Sequence, residues 1–490
     1  MSVYKVKVKW SKEVFPDLLV NADEELDVFK AQLFTLTGVP PGRQKIMLRG
    51  TTLKDDSWKK VKLKDGLTFL MMGTSEELPV EPTEKPLFVE DMTENELASA
   101  MELPTGLTNV GNTCYINATV QCLKVVPELI QALKLYQGTY SMLGNLTPSQ
   151  SITAVMRDLY ELMERSGATL SPLILIQVVH AAFPRFAERS EQGGWMQQDA
   201  NEFWTEIMRM LQQKLPPLND PSNGSCSEGN QQKYNNFIDQ YFGGTFDVTL
   251  KCTESEDEQP THNEENFLQL SCFISQDVKY MHTGLKSRMQ EVITKHSMTL
   301  DRDAQYQKTC KISRLPAYLT IQFVRFFYKE RESINAKILK DVKFTLNLDV
   351  FDLCTEKLQQ KLIPMRLRFK EIEDKKVEEA QNLKISNDVS KSKTSPKEKI
   401  DYSFPDDPGS NNSGYYELIA VLTHRGRSST SGHYVAWVRH RGDEWFKCDD
   451  DNVSVVTSEE ILKLSGGGDW HCAYVLLYGP RALEAEEDSR

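Results

Sequence analysis

One step in charge divides the chain. Residues 1–73 carry 13 basic and 9 acidic side chains, a balance of about +4, whereas residues 74–96 hold 8 acidic and one basic, about −7, and include Pro79, Pro82 and Pro86. A proline-bearing stretch of like charges cannot bury enough apolar surface to join a core, so it reads as an extended linker between parts that fold separately. With 490 residues there is room for two or more domains, since single domains mostly run to about 100–200 residues. The expected boundaries are a small domain over residues 1–75, an acidic linker over 76–100, a large domain over 101–480 and an acidic tail over 481–490.

Composition narrows the class. Lys+Arg 58 against Asp+Glu 70 leaves a net charge of −12, which disfavours nucleic acid as the main partner, because sequence-independent binding to phosphates needs clustered positive charge. The longest apolar run, residues 173–183, is far too short to span a bilayer, so no membrane partner is expected. The nine cysteines are scattered and contain no CxxC pair, which fits neither a disulfide framework nor a common zinc site. A reducing cytoplasmic or nuclear compartment, a monomer, no metal and no cofactor are the expectations.

The small domain has a clear pattern. Tyr4, Val6, Val8 and Trp10 alternate with Lys5, Lys7 and Lys9, the period of a strand with one wet face. Asp23 can cap a helix carrying Leu26, Phe29, Leu33 and Leu36, which Gly38 and Pro40-Pro41 stop. Strands follow over 44–48 and 67–72. Hairpin, helix, Pro-Pro turn and two further strands is the order of a β-grasp, and the run GVPPGRQKIMLRGTTLKDD resembles ubiquitin. The segment ends in Met71-Met72-Gly73 and not in a processable Gly-Gly, so it looks like a docking module. Met47, Leu70 and Met72 are either its apolar binding patch or core residues. The large domain reads as helices first and strands later, an α+β architecture, with polar stretches near 219–236 and 370–408 expected to be mobile insertions.

In that domain Gly106-Leu-Thr-Asn-Val-Gly-Asn-Thr-Cys114 is a Gly- and Asn-rich loop feeding an apolar helical run. Cys114 would sit at the helix N-terminus, where partial positive charge stabilises a thiolate. The Cys114 N–H and the Asn109 side-chain amide are local candidates to hold a tetrahedral oxyanion. The alternative is a small buried cysteine beside an ordinary turn former. A base is also needed. Ser431-Gly-His433 opens a strand, and sixteen residues on a second strand ends in Asp449-Asp450-Asp451. If the two are antiparallel neighbours, His433 and Asp449 can meet, the carboxylate fixing the imidazole tautomer.

These motifs resemble a known family. GLTNVGNTCYINATVQCL is similar to the cysteine box of the ubiquitin-specific proteases, SGHYVAWVR with EWFKCDDDNVSVV to their histidine box, Gln197-Gln-Asp199-Ala-Asn-Glu202-Phe203 to their Gln-Gln-Asp box, and KISRLPAYLTIQFVRFFY to their central strand. The resemblance implies a papain-like catalytic domain of fingers, palm and thumb behind a ubiquitin-like β-grasp. It also implies a thiol-dependent deubiquitinase in which Cys114 is the nucleophile, His433 the base, Asp449 its orienter and Asn109 the oxyanion donor, with Asp450 assisting from the flank. Gln198, Asp199, Glu202 and Tyr434 would contact substrate: the two acids, at i,i+3, would bind guanidinium groups of ubiquitin's arginine-bearing tail, and Tyr434 and the Phe326-Phe327-Tyr328 run would wall its channel. The implied partners are ubiquitin and polyubiquitin conjugates, and the proteasome regulatory particle through the ubiquitin-like domain. A non-catalytic ubiquitin and proteasome adaptor is the competing reading. Loops at 328–340 and 425–432 would border the cleft, and Thr430 fits a basic-directed kinase site.

Overall fold

The computed structural model describes residues 2–53, 58, 61–74, 103–141, 146–167, 169–190, 193–218, 233–329, 334–385, 398–428, 431–468 and 470–485. The expected linker, Cys226 and Thr430 lie outside them. The chain divides into two compact units, Met1–Asp91 and Met92–Arg490.

In the first unit, β1 (Val3–Trp10) and β2 (Glu13–Asn21) form a hairpin, α1 (Leu26–Thr37) crosses the sheet, and β3 (Lys45–Leu48), β4 (Thr51–Thr52) and β5 (Thr68–Met72) complete it. The strand order is β2-β1-β5-β3-β4, with β1 and β5 parallel at the centre, which is a β-grasp. Alternation decides the faces: Val6, Val8, Phe69 and Met71 turn inward against Leu26, Phe29 and Leu33 of α1. Gly38, at φ 70°, ends the helix in the left-handed region, where lack of a Cβ removes the steric penalty. Asp23 does not cap α1. The helix starts at Leu26 with Glu25 at its N-cap, and the Asp23 carboxylate accepts the Ser2 N–H instead. Leu70 and Met72 are 43% and 53% exposed and sit with Met47 on the outer face, so they are a surface patch and not core.

The second unit begins with helices: α2 (Cys114–Lys124), α3 (Pro127–Leu135), α4 (Pro148–Arg165), α5 (Leu173–Ala182), α6 (Ala200–Gln212) and the short α7 (Phe237–Tyr241). Every residue of α2 from Cys114 to Leu123 is buried, so this helix is a central element with no wet face. Next come β6 (Gly244–Cys252), β7 (Thr261–Phe267), β8 (Gln269–Phe273), α8 (Met281–Arg288), β9 (Gln290–Ser297), β10 (Arg302–Arg314), β11 (Leu319–Val324) and the hairpin β12 (Phe326–Lys329) with β13 (Ile334–Lys337). After β14 (Asn347–Asp349), the 30-residue α9 (Glu356–Ile385) and β15 (Glu398–Ile400), the chain closes with the long strands β16 (Tyr415–Ser428) and β17 (Ser431–Arg441), then β18 (Glu444–Asp449), β19 (Asn452–Thr457), α10 (Ser458–Leu462), β20 (Cys472–Pro480) and β21 (Leu483–Ala485).

Two sheets organise this unit. Strands β7-β6-β10-β9 form an antiparallel four-stranded sheet whose small core is Cys252, Ala304 and Tyr306, packed with Ile293 and Leu300. The larger sheet runs β19-β18-β17-β16-β20-β11-β8, with β14 also on β16. Period-two alternation along β17 sends Tyr434, Ala436 and Val438 to one core, shared with helices α2–α6, and Val435 and Trp437 to the other. The described parts of 370–408, which are 370–385 and 398–408, depart from the expected mobile insertion: α9 continues to Ile385, its Lys and Glu being good helix formers, and β15 pairs with β21 within 483–485. Tyr402 then bonds Glu128, and Asp407 receives Arg314, so this end is anchored.

Leu476 is fully buried at the centre of β20. Leu476→Ala should cost about 2–5 kcal/mol, read as a lower denaturant midpoint with unchanged slope for the transition of this unit.

Candidate active site

The loop before α2 is folded by its own polar side chains. Asn109 Oδ1 accepts the N–H groups of Gly111 at 3.0 Å and Thr113 at 3.2 Å, and the Thr113 hydroxyl accepts the Val110 N–H at 3.0 Å. Asn112 takes a left-handed φ of 53° and donates its amide to the Trp195 carbonyl at 2.8 Å. Gly106 passes under the β18–β19 turn so closely that a Cβ there would lie 2.6 Å from the Asp451 carbonyl oxygen. The loop therefore delivers Cys114 as the first residue of α2, buried, with no side chain capping the helix end.

The histidine strand meets this loop through one carboxylate. Asp450 occupies the tight β18–β19 turn at φ 55°, nearly buried. Its Oδ2 accepts the Asn109 amide at 2.8 Å and its Oδ1 the Asn117 amide at 2.9 Å, while its carbonyl accepts the Leu107 N–H at 2.9 Å. Burial pushes the Asp450 carboxyl above its ordinary range, and the two amides oppose that shift. Asn117 was not singled out from sequence. It lies three residues into the helix after Cys114, and only its partner, 333 positions away, reveals what it does.

Strands β17 and β18 are antiparallel neighbours, pairing Ala436 with Cys448. His433 Nε2 and Asp449 Oδ1 are 2.6 Å apart. The Cys114 thiol lies close enough to the same imidazole to favour its charged form alongside Asp449. The Asp449 bond first, and Cys114 second, raise the imidazole to about 10 against burial. Asp449 is held well below the usual carboxylate range by His433 and then by Lys447, whose ammonium sits 2.9 Å from Oδ2. A glycine must precede His433: at φ 122°, a Cβ on Gly432 would fall 2.0 Å from the Arg425 carbonyl oxygen. Sulfur, imidazole and carboxylate thus form a relay suited to nucleophilic acyl transfer.

Two further histidines flank the relay and stay neutral. The His471 ring lies 6.1 Å from that of His433, with Nδ1 3.2 Å from the Thr423 hydroxyl, and burial with the nearby His433 pushes it down to about 4. His424, buried between Phe326 and Tyr434, is pushed down to about 3 by burial and Lys337. His471 stands just before β20 after a Gly-rich turn and His424 lies within β16, positions that give no signal of either role in the sequence.

The substrate-facing residues read from sequence are placed differently from one another. Asp199 is the N-cap of α6. Its Oδ1 accepts the N–H groups of Asn201 at 2.7 Å and Glu202 at 3.1 Å, and the Tyr474 hydroxyl donates to both carboxylate oxygens. Burial raises its carboxyl. It is a helix cap turned inward, not half of a carboxylate pair facing outward, because the four orphan donors of a helix start attract the nearest acid. Glu202 is exposed, and Gln198 is half-buried. Tyr434 is fully buried against His424 and Tyr474 and so packs a core; it does not line an open channel. Phe326 is half-buried on the same rings, Phe327 is exposed, and the Tyr328 side chain lies outside the described residues.

His433, Asp449 and Asp450 bring ligand-type atoms within 4.8 Å, the one such trio among the described residues. Its oxygens already take an ammonium, an imidazole and two amide donors, an environment built for anions on Asp449 and Asp450 and not for a cation between them. In the four-stranded sheet Cys252 on β6 and Cys310 on β10 stand at different rungs of one strand pair, opposite Tyr306 and Val248, and do not face each other.

Residues 105–478 match the family model described as ubiquitin carboxyl-terminal hydrolase. Ubiquitin carboxyl-terminal hydrolase 7 of Arabidopsis thaliana is 39% identical over 98% of this chain and 99% of its own length. Ubiquitin carboxyl-terminal hydrolase 14 of Caenorhabditis elegans is 40% identical over 98% of this chain and 94% of its own. Among solved structures, the SAGA Ubp8/Sgf11/Sus1/Sgf73 DUB module bound to ubiquitin aldehyde superposes with a TM-score of 0.50 at 21% identity, covering 77% of this chain and 69% of that one, a likeness of fold.

The relay makes a direct prediction about the imidazole. In NMR of ring-labelled histidine, His433 should lose its proton near pH 10 in the native protein and, in Asp449→Asn, at a value moved down toward the ordinary 6.5. An unshifted titration in the variant would mean that Asp449 is not what holds the proton.

Proposed function

The chain belongs to the ubiquitin carboxyl-terminal hydrolase family, a cysteine-type ubiquitin hydrolase, and on that footing we propose that it cleaves the isopeptide bond after the last glycine of ubiquitin through Cys114. The thiolate sulfur attacks the glycine carbonyl carbon, and the carbonyl π electrons move to oxygen. The second N–H of the Asn109 amide, whose first is given to Asp450, and the Cys114 N–H are the donors assigned to that oxyanion. Collapse of the intermediate expels the lysine amine, which takes its proton from the His433 imidazolium. Water, deprotonated by His433, then attacks the thioester; the carboxylate leaves and the thiol is regenerated. Asp449 acts as orienter throughout, keeping the imidazole tautomer and charge.

What carries this reading is the single imidazole bonded to Asp449 and set beside Cys114, so that carboxylate and sulfur both favour its charged form. An adaptor that only holds ubiquitin has no use for that coupling. At the approach, Glu202 is the acidic group assigned to the guanidinium groups of ubiquitin's tail, with Gln198 beside it. The first unit is assigned a docking role: exposed Leu70 and Met72 with half-buried Met47 form an apolar surface patch, with Lys45 opposite Met72 and Lys9 opposite Leu70 in register. Such a patch suits an apolar surface rimmed by acids, and the proteasome regulatory particle is the partner we assign to it, making proteasome-bound conjugates the substrates. The eight described cysteines are all free thiols, which suits a reducing cytoplasmic or nuclear setting.

A fluorogenic conjugate at the ubiquitin C-terminus, with and without proteasome, tests the proposal. Wild-type protein should release the fluorophore, with a larger rate when proteasome is present, and Cys114→Ala should reduce release to background while still binding ubiquitin. Equal release by Cys114→Ala would overturn the assignment of the nucleophile.

A further inference from the structure

The acidic face that α6 presents is already occupied by an arginine of the chain itself. With Asp199 turned inward as a cap, the carboxylates left along this side of α6 are the exposed Glu202 and, one turn on, the mostly buried Glu206. Arg185 comes from the short turn Pro184–Ala187 that follows α5. Its Nη2 lies 2.9 Å from Glu206 Oε1 and its Nη1 3.6 Å from Glu202 Oε2, while the guanidinium carbon rests 4.8 Å from the centre of the Phe186 ring. The two contacts differ in kind. The Glu206 bond is short, whereas the Glu202 pair is beyond ordinary hydrogen-bond length, with both side chains well exposed.

Position relative to the nucleophile gives the contact its meaning. Phe186 and Phe203, the neighbours in sequence of Arg185 and Glu202, pack together at 5.6 Å and both hold Tyr115, at 5.9 and 5.4 Å. Tyr115 follows Cys114 directly, so the Arg185–Glu202 pair caps the aromatic block that seats the nucleophile's helix. Glu206 would keep a partner without Arg185, because Arg209 bonds its other oxygen at 2.5 Å. Glu202 would not: Arg185 is its one ion-pair partner among the described residues.

We propose that Arg185 is a specificity-determining residue that competes with the arginine-bearing tail of ubiquitin for Glu202, raising KM without touching the chemical step. The inference rests on the assignment of Glu202 to the tail. A guanidinium from the substrate reaches Glu202 by displacing the looser half of the Arg185 contact, and Arg185 then remains on Glu206 alone. A tail in which arginine is replaced by a neutral residue gains nothing from the exchange, so the resident cation filters for a substrate that brings a cation of its own. Exposed ion pairs are weak, which limits the effect to about fivefold or less in affinity, and ionic strength screens it.

Steady-state kinetics with the ubiquitin C-terminal fluorogenic conjugate, at low and high salt, on Arg185→Ala, Arg185→Lys, Arg209→Ala and Glu202→Ala test this. Arg185→Ala should lower KM about two- to fivefold at low salt with kcat unchanged, and the gain should shrink as salt rises. Arg185→Lys, which keeps the charge, and Arg209→Ala, which touches Glu206 alone, should keep the native KM. Glu202→Ala should raise it. A KM in Arg185→Ala equal to or above the native value, with Glu202→Ala still raising KM, overturns the competition while leaving the tail assignment standing. An unchanged KM in Glu202→Ala removes the tail assignment and this inference with it.

Discussion

The Asp450 carboxylate holds the two distant halves of the site together. Asn109 and Asn117, on the loop and helix that carry Cys114, each give it an amide across 341 and 333 positions of chain. It takes both from a turn whose left-handed backbone is unfavourable for most residues and tolerable for Asp. Burial works against the anion, and two hydrogen bonds to a charged acceptor offset that cost. Core packing brings α2 beside β17, but packing tolerates shifts of an ångström that an acyl transfer does not. A buried anion with two directional donors removes that freedom.

Charge is arranged around this clamp in a fixed order. Lys447 pairs with Asp449, Asp449 bonds His433, and Cys114 lies beside that imidazole, so each group's charge favours that of the next. His471, half-buried, and His424, buried, stand close by but are kept neutral, which spares the imidazolium two repulsive neighbours. The approach is ordered the same way: Asp199 is withdrawn into the cap of α6 and bonded by Tyr474, so Glu202 is the acid left outward.

Much of this was legible in the residues, for physical reasons. Strict alternation in β1 and the stop at Gly38 and Pro40-Pro41 are local signals, and the strands and helix of the β-grasp follow them closely. The Gly/Asn loop before Cys114 and the glycine before His433 were also legible, because both positions demand backbone that other residues resist. Side-chain partnership was not. An i,i+3 spacing states that Asp199 and Glu202 are near one another on a helix, but a cap is defined by where the helix begins, and that decided that Asp199 points inward. Tyr434 alternates as any strand residue does, and only the sheet's second layer shows its face to be core. The charged run after residue 370 has the composition of a mobile insertion and equally that of a solvated helix, and α9 is the latter. Asn117 and Tyr474 act through partners remote in sequence, for which one chain read alone contains no signal, whereas Lys447 stands two residues from Asp449 on the same face of β18.

The clamp is the central claim, and a double-mutant cycle on Asn109 and Asp450 tests it most directly, with kcat/KM for ubiquitin-conjugate cleavage as the readout. If Asp450 acts by holding the Asn109 amide, Asn109→Ala and Asp450→Ala should each slow the reaction and the double variant should be little worse than the slower single one, a coupling on the order of 1–3 kcal/mol. Losses that simply add would show that the two residues act independently, and the account of a site assembled around one carboxylate would be wrong.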